Sequence, residues 1–156
     1  MGRMLVPQAD WKLESPLHAL QQMTTAFDIV ASVPSFGAKS SESLTLTGKE
    51  GTSIELNDDF GHLIVAAAAS RLSEHGLGLF VVPPIFLASR RSVLRQFPAL
   101  GLGVEAALSL PSGSFAPYTN MPAYIIAVRR RNVSRMFVAE LSNDTATNAK
   151  VDRGQR

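Results

Sequence analysis

The sequence predicts an α/β fold: a mostly parallel sheet, a late antiparallel strand, and helices on both faces. Three observations predict it. Compact apolar or β-branched runs recur at 27–33, 77–82, 104–110, 123–128 and 136–141. Segments of helical periodicity separate the first three runs, which is the mark of parallel strands joined by crossovers. The last runs follow one another without such a segment, as antiparallel neighbours do.

Taken in order, Arg3 to Val6 is a short apolar run stopped by Pro7, readable as a strand, with Asp10 in the loop after it. Ser15-Pro16 opens a short helix with Leu17, Leu20 and Met23 on one face. Phe27 to Val33 (FDIVASV) reads as a buried strand ending at Pro34. Two alternating runs flank Gly48 to Gly51 and predict an exposed β-hairpin over about 43–56. Asn57 or Asp58 is placed to cap the next helix, whose apolar face is Leu63, Ile64, Ala67, Ala68 and Leu72. Its four consecutive alanines, Ala66 to Ala69, suit close packing on a sheet, and His75-Gly76 reads as its end. The glycine pairs 76/78 and 101/103 precede apolar runs and read as turns, not phosphate loops, which follow a strand and open a helix. Leu77 to Val82 is a second strand, and 92–100 is a short helix containing Pro98. Strands at 104–110, 123–128 and 136–141 complete one domain over 1–141, and 142–156 is a polar tail expected to be disordered.

Composition narrows the function. The chain has 156 residues, 46% of them hydrophobic, enough for one domain with a core. There is no cysteine, which excludes disulfides, thiolate catalysis and cysteine–zinc sites. No apolar run approaches the length of a membrane span and no signal-peptide pattern opens the chain, so a cytoplasmic location is expected. His18, His62 and His75 are scattered, and no metal site is expected. No Gly-x-Ser-x-Gly elbow supports a hydrolase. Charge is uneven. Residues 1–70 hold 4 basic and 8 acidic groups, and 71–156 hold 11 and 5. Such asymmetry marks either a nucleic-acid face or, the plainer reading, a solvated surface with a basic tail. Arg90, Arg91, Arg95 and Arg129 to Arg131 are the candidate phosphate contacts. Trp11 and Lys12 suit either stacking on nucleic acid or covering a core edge.

Three segments, in order, carry a family resemblance: FDIVASVPSFG at 27–37, LSEHGLGLFVVPPIFL at 72–87, and LSLPSGSFAPYTNMPAYIIAV at 108–128. Together they resemble the C-terminal half of the adenine-N6 DNA methyltransferases, above all the modification subunits of type I restriction systems, over roughly residues 8–141. The resemblance implies part of a Rossmann-like class I methyltransferase sheet, whose full strand order is 3-2-1-4-5-7-6. In that family the first segment ends in Asn-Pro-Pro-Phe or Tyr. The Asn oxygen and the first proline's carbonyl accept the adenine amino hydrogens, and the aromatic ring stacks on the flipped base. Here Val33 stands at the Asn position, Pro34 at the first proline, Ser35 at the second and Phe36 at the aromatic. Valine has no side-chain acceptor; Ser32 and Ser35 offer hydroxyls at shifted positions. The family's cofactor half, with its glycine-rich turn, has no counterpart in the residues before Phe27, and only Asp10 resembles a later acidic position that contacts the cofactor. The resemblance therefore implies a non-catalytic module without a cofactor of its own. It would bind DNA, a partner subunit or a second copy through the edge of the strand at 27–33, unless residues near Met4 to Val6 cover that edge. The alternative is the substrate-side piece of a split enzyme, with S-adenosylmethionine bound once a partner or dimer completes the pocket.

Overall fold

In a computed structural model, the structure describes residues 8–10 and 13–144. The expectations at Arg3 to Val6, Trp11, Lys12 and 145–156 lie outside them.

Helix α1 (Pro16–Gln22) is followed by β1 (Phe27–Ser32), then by a hairpin of β2 (Leu44–Thr47) and β3 (Ser53–Leu56). Helix α2 (Phe60–Ala69) leads into β4 (Leu72–Val82), and α3 (Pro84–Ala88) follows. A 3-10 turn at Val93–Gln96 runs into α4 (Phe97–Leu100), and β5 (Gly103–Ser109), β6 (Tyr124–Arg129) and β7 (Phe137–Glu140) close the order. The main sheet is ordered β1-β4-β6-β5-β7. β1 is parallel to β4 and β5 is parallel to β7, while β6 lies antiparallel between β4 and β5. Four strands thus run one way and β6 runs against them, the α/β arrangement expected.

Several boundaries differ from the sequence reading. α2 stops at Ala69, and Ser70 caps it through its backbone N–H and through a hydroxyl bond to Ala67 O at 2.7 Å. Leu72, His75 and Gly76 belong to β4, so neither His75 nor Gly76 ends a helix, and Gly76 and Gly78 are strand residues. The reason is tertiary. Phe27 N donates to Arg71 O and Leu72 lies beside Phe27, so the chain joins β1 directly after α2, and from Leu77 onward β4 pairs with β1 on one side and β6 on the other. Gly78 is needed there, because a Cβ would press into the ring of Phe80. The cap of α2 is Asp59, not Asn57 or Asp58. The segment 92–100 is two short turns rather than one helix: Ser92 accepts from Leu94 N in the first, and Pro98 sits in the opening turn of the second. The hairpin is exposed on one side only, since Leu44, Leu46 and Leu56 are buried.

The expected helices on both faces are found, among the described residues, on one. β1→α2→β4 and β4→α3–α4→β5 both step across the sheet in the same direction. Right-handed crossovers taken in one direction put their helices on the same side. On that side Phe80, Val82, Ile126, Val128 and Ala107 are buried with Leu17, Leu63, Phe86 and Phe97. The other face is read from the register. Ile29 and Ala31 lie beside Leu77 and Leu79; Leu79 and Val81 lie beside Ala127 and Ile125. Those two in turn lie beside Ala106 and Leu108, which lie beside Phe137 and Ala139. Every one of these side chains is apolar, and none of them is buried. Ile29 is 72% exposed, Phe137 49% and Leu79 38%. β1, read from sequence as a buried strand, is instead, among the described residues, an edge strand with most of its residues exposed.

Candidate functional site

The carboxyl ends of β1, β4 and β5 point the same way, and the loops after β1 and β5 meet at that end of the sheet. Open α/β sheets bind ligands there. The loop after β1 is Val33-Pro34-Ser35-Phe36. Pro34 is buried, Ser35 is exposed, and Val33 is 66% exposed with no polar atom on its side chain. α2 presses the loop from behind. Its Gly61 faces the Ser35 carbonyl so closely that a Cβ would collide with that oxygen.

The loop after β5 comes to the same place. Ser114 Oγ donates to Pro111 O at 2.6 Å, and Tyr118 N and Thr119 N both donate to Phe115 O, at 2.9 and 3.1 Å. These bonds hold Phe115 edge-on to Phe36, with centroids 6.2 Å apart and planes at 84°. Tyr118 extends from this loop, 94% exposed. Two of the three segments singled out in the sequence are thus in contact through an aromatic pair. The arrangement offers stacking surface and backbone carbonyls, but no side-chain amide at the position of Val33.

The remaining candidates are scattered. Asp10 is exposed, and among the described residues no hydrogen bond or ion pair joins it to the strand-end loops. Arg129 to Arg131 lie at the opposite end of the sheet and are engaged internally. Arg129 donates from Nε to Glu105 at 3.1 Å and to the His75 carbonyl at 2.9 Å. Arg130 donates to the carbonyls of Leu72 and Ser70 at 3.0 and 2.6 Å, and Arg131 pairs with Glu105. Arg90 and Arg91 are exposed in the turn between α3 and the 3-10 turn.

One cluster escaped the sequence reading. Asp58 Oδ1 accepts from Asp59 N at 2.7 Å and contacts His62 Nδ1 at 2.8 Å, while Oδ2 accepts from Val93 N at 2.9 Å. His62 is buried and meets Phe86 edge-on at 5.0 Å. Asp58, Asp59 and His62 bring possible ligand atoms within 4.8 Å of one another. Both oxygens of Asp58 are already engaged by these donors, and Asp59 pairs with Lys39 at 2.9 Å. The cluster is therefore a clamp tying the 3-10 turn to the start of α2. The Asp-x-x-x-His spacing was its sequence signal.

No family model and no curated protein matches the sequence. Solved structures do match. A putative class I S-adenosylmethionine-dependent methyltransferase from Listeria monocytogenes superposes with a TM-score of 0.60 at 16% identity, over 86% of this chain and 43% of its own. A chain of a type I restriction–modification system gives 0.59 at 20% identity, over 81% of this chain and 26% of its own. The type I methyltransferase subunit from Streptococcus thermophilus gives 0.56 at 16%, over 94% and 33%. The chain thus spans less than half the length of the solved chains that it matches. At these identities the likeness is one of fold, and the described residues have the fold of part of a class I methyltransferase domain, as in restriction–modification methyltransferase subunits.

Proposed function

We propose that this chain is a non-catalytic, methyltransferase-like module that acts in the cytoplasm by binding a partner subunit across the uncovered face of its sheet. The observation that carries this reading is the bare face itself. Sheets of mainly parallel strands are normally covered on both sides, and here, among the described residues, an apolar face bounded at one end by Arg129 runs across five strands to an open β1 edge. The occupant is a polypeptide that lays amphipathic helices over that face. Five strands at about 4.8 Å by two apolar side-chain rows give a patch on the order of 300 Å². Two copies meeting face to face would bury about 600 Å², short of the roughly 1,200–2,000 Å² of stable interfaces. Two copies pairing through β1 would leave the face open. A larger partner that crosses the face and the β1 edge meets both needs.

The absence of a side-chain acceptor at Val33 supports the non-catalytic part. A second reading, the substrate-side piece of a split methyltransferase, is favoured by the Phe36–Phe115 contact at the strand ends. In that case a partner would complete a pocket for S-adenosylmethionine, and DNA would be the substrate.

Calorimetric titration with S-adenosylmethionine, with and without duplex DNA, separates the readings. The module reading expects no heat from the cofactor. Saturable binding by the chain alone would overturn it. Methyl transfer by a Val33→Asn, Ser35→Pro double variant, mixed with the cofactor-side part of the S. thermophilus subunit, would favour the split enzyme. Sedimentation tests the surface. The chain is expected to be a monomer, and a dimer abolished by Ile29→Asp would transfer the face or edge to a second copy.

A further inference from the structure

The fold uses its arginines in two ways. Arg129, Arg130 and Arg131 are bonded to Glu105 and to backbone carbonyls. Arg90, Arg91 and Arg95 are exposed, and among the described residues no carboxylate lies within ion-pair distance of them. Yet the three are gathered. With Asn57 and Gln96 they line one cleft of about 260 Å³ between the end of β3 and the 3-10 turn. Among the described residues, Glu55 is the one carboxylate in the lining. Asp58, next in sequence to Asn57, turns both of its oxygens to Val93 N, Asp59 N and His62. The backbone carrying the arginines is pinned: Val93 N is held by Asp58, Leu94 N donates to Ser92 Oγ at 3.3 Å, and Arg91 N donates to Ser89 Oγ at 3.2 Å. Three arginines and one glutamate in the lining leave the cleft with an excess of positive charge, and its volume has room for a tetrahedral oxyanion.

We propose that this cleft binds a phosphate group. The guanidinium N–H forks supply paired, charge-assisted donors, and the amides of Asn57 and Gln96 supply neutral ones. Sequence alone marked Arg90, Arg91 and Arg95; the fold gathers them and adds Asn57 and Gln96. The cleft is on the helix-covered side of the sheet, so it is separate from the bare face, and both can be occupied at once. It also adjoins the start of α2, whose Gly61 backs the Ser35 carbonyl. The phosphate has two sources, the backbone of a nucleic acid or the free ion.

The test titrates the full chain with inorganic phosphate by calorimetry and with a fluorescent duplex oligonucleotide by anisotropy, the latter at about 0.05 and 0.2 M salt. Variants Arg91→Gln/Arg95→Gln and Arg90→Gln/Arg91→Gln remove the cleft charge in two ways. Arg135→Gln removes an exposed charge elsewhere. Far-UV circular dichroism confirms that each is folded. The cleft variants are expected to bind about tenfold or more weakly, the loss of one or two charge-assisted bonds, while Arg135→Gln binds as the parent does. Saturable binding of inorganic phosphate identifies the free ion as the source. Binding of the duplex alone, with a salt slope that falls by about 2 in a cleft variant, identifies the nucleic-acid backbone. Absence of saturable binding of either probe by the parent, or equal weakening by Arg135→Gln and the cleft variants, would overturn the proposal.

Discussion

Phe80 and Leu79 are adjacent in β4, both apolar, and point to opposite faces of one sheet. Phe80 is 0% exposed and Leu79 is 38% exposed. Along β6 the same split separates Ile126 and Val128, which are buried, from Ile125 and Ala127, which are not. One face is closed by α1, α2, α3 and α4 around Leu63, Phe86 and Phe97; the other ends in solvent among the described residues. Apolar patterning on both faces of a strand therefore says that both are meant to be covered. It does not say that one chain covers them.

The contrast can be broken or sharpened by substitution. The largest effect is expected at Phe80→Ala, which empties a fully buried site. Urea unfolding should show a loss of about 3–5 kcal/mol; a loss under about 1 kcal/mol would mean that the covered face is not the core. Asp58→Ala comes next. It strands the Val93 N–H and the His62 ring beneath the helices, and the same measurement should register about 2–3 kcal/mol. Gly61→Ala should cost about 1–2 kcal/mol, because the new methyl group must displace the Ser35 carbonyl. The displacement should also alter the aromatic signals of Phe36 and Phe115 in NMR spectra, and unchanged signals would separate α2 from the site. Leu79→Lys on the bare face is expected to move the stability of the isolated chain by no more than about 0.5 kcal/mol. It should abolish partner binding. A large destabilisation from Leu79→Lys would mean that residues outside 13–144 already cover this face.

Much of this was legible before any coordinates. The runs at 77–82, 104–110 and 123–128 form strands because β-branched and apolar residues repeat there between Pro and Gly stops. The hairpin followed from its glycine turn. One-sidedness was not legible, because two crossovers share a face only when both step the same way across the sheet, and the strand order that makes them do so is set by pairing. The α2–β4 boundary was not legible, because Leu72 fits a helical stripe as well as a strand, and only its pairing with Phe27 decides between them. The loop of Val33 to Phe36 was read from motif order, but its contact with Phe115 joins residues nearly eighty positions apart, and no local spacing encodes that.

The sequence by itself determined the α/β class, the strand succession, the hairpin, and the missing side-chain acceptor at Val33. These depend on local periodicity, turn chemistry and residue type, which act over a few positions. Tertiary structure alone decided which face of each strand is covered and which arginines are neutralised. It also decided which are gathered around a cleft, and that Asp58 closes on His62 and Val93. Each of those depends on groups far apart in the chain becoming neighbours, where a carbonyl or a carboxylate either reaches a donor or leaves it to the solvent.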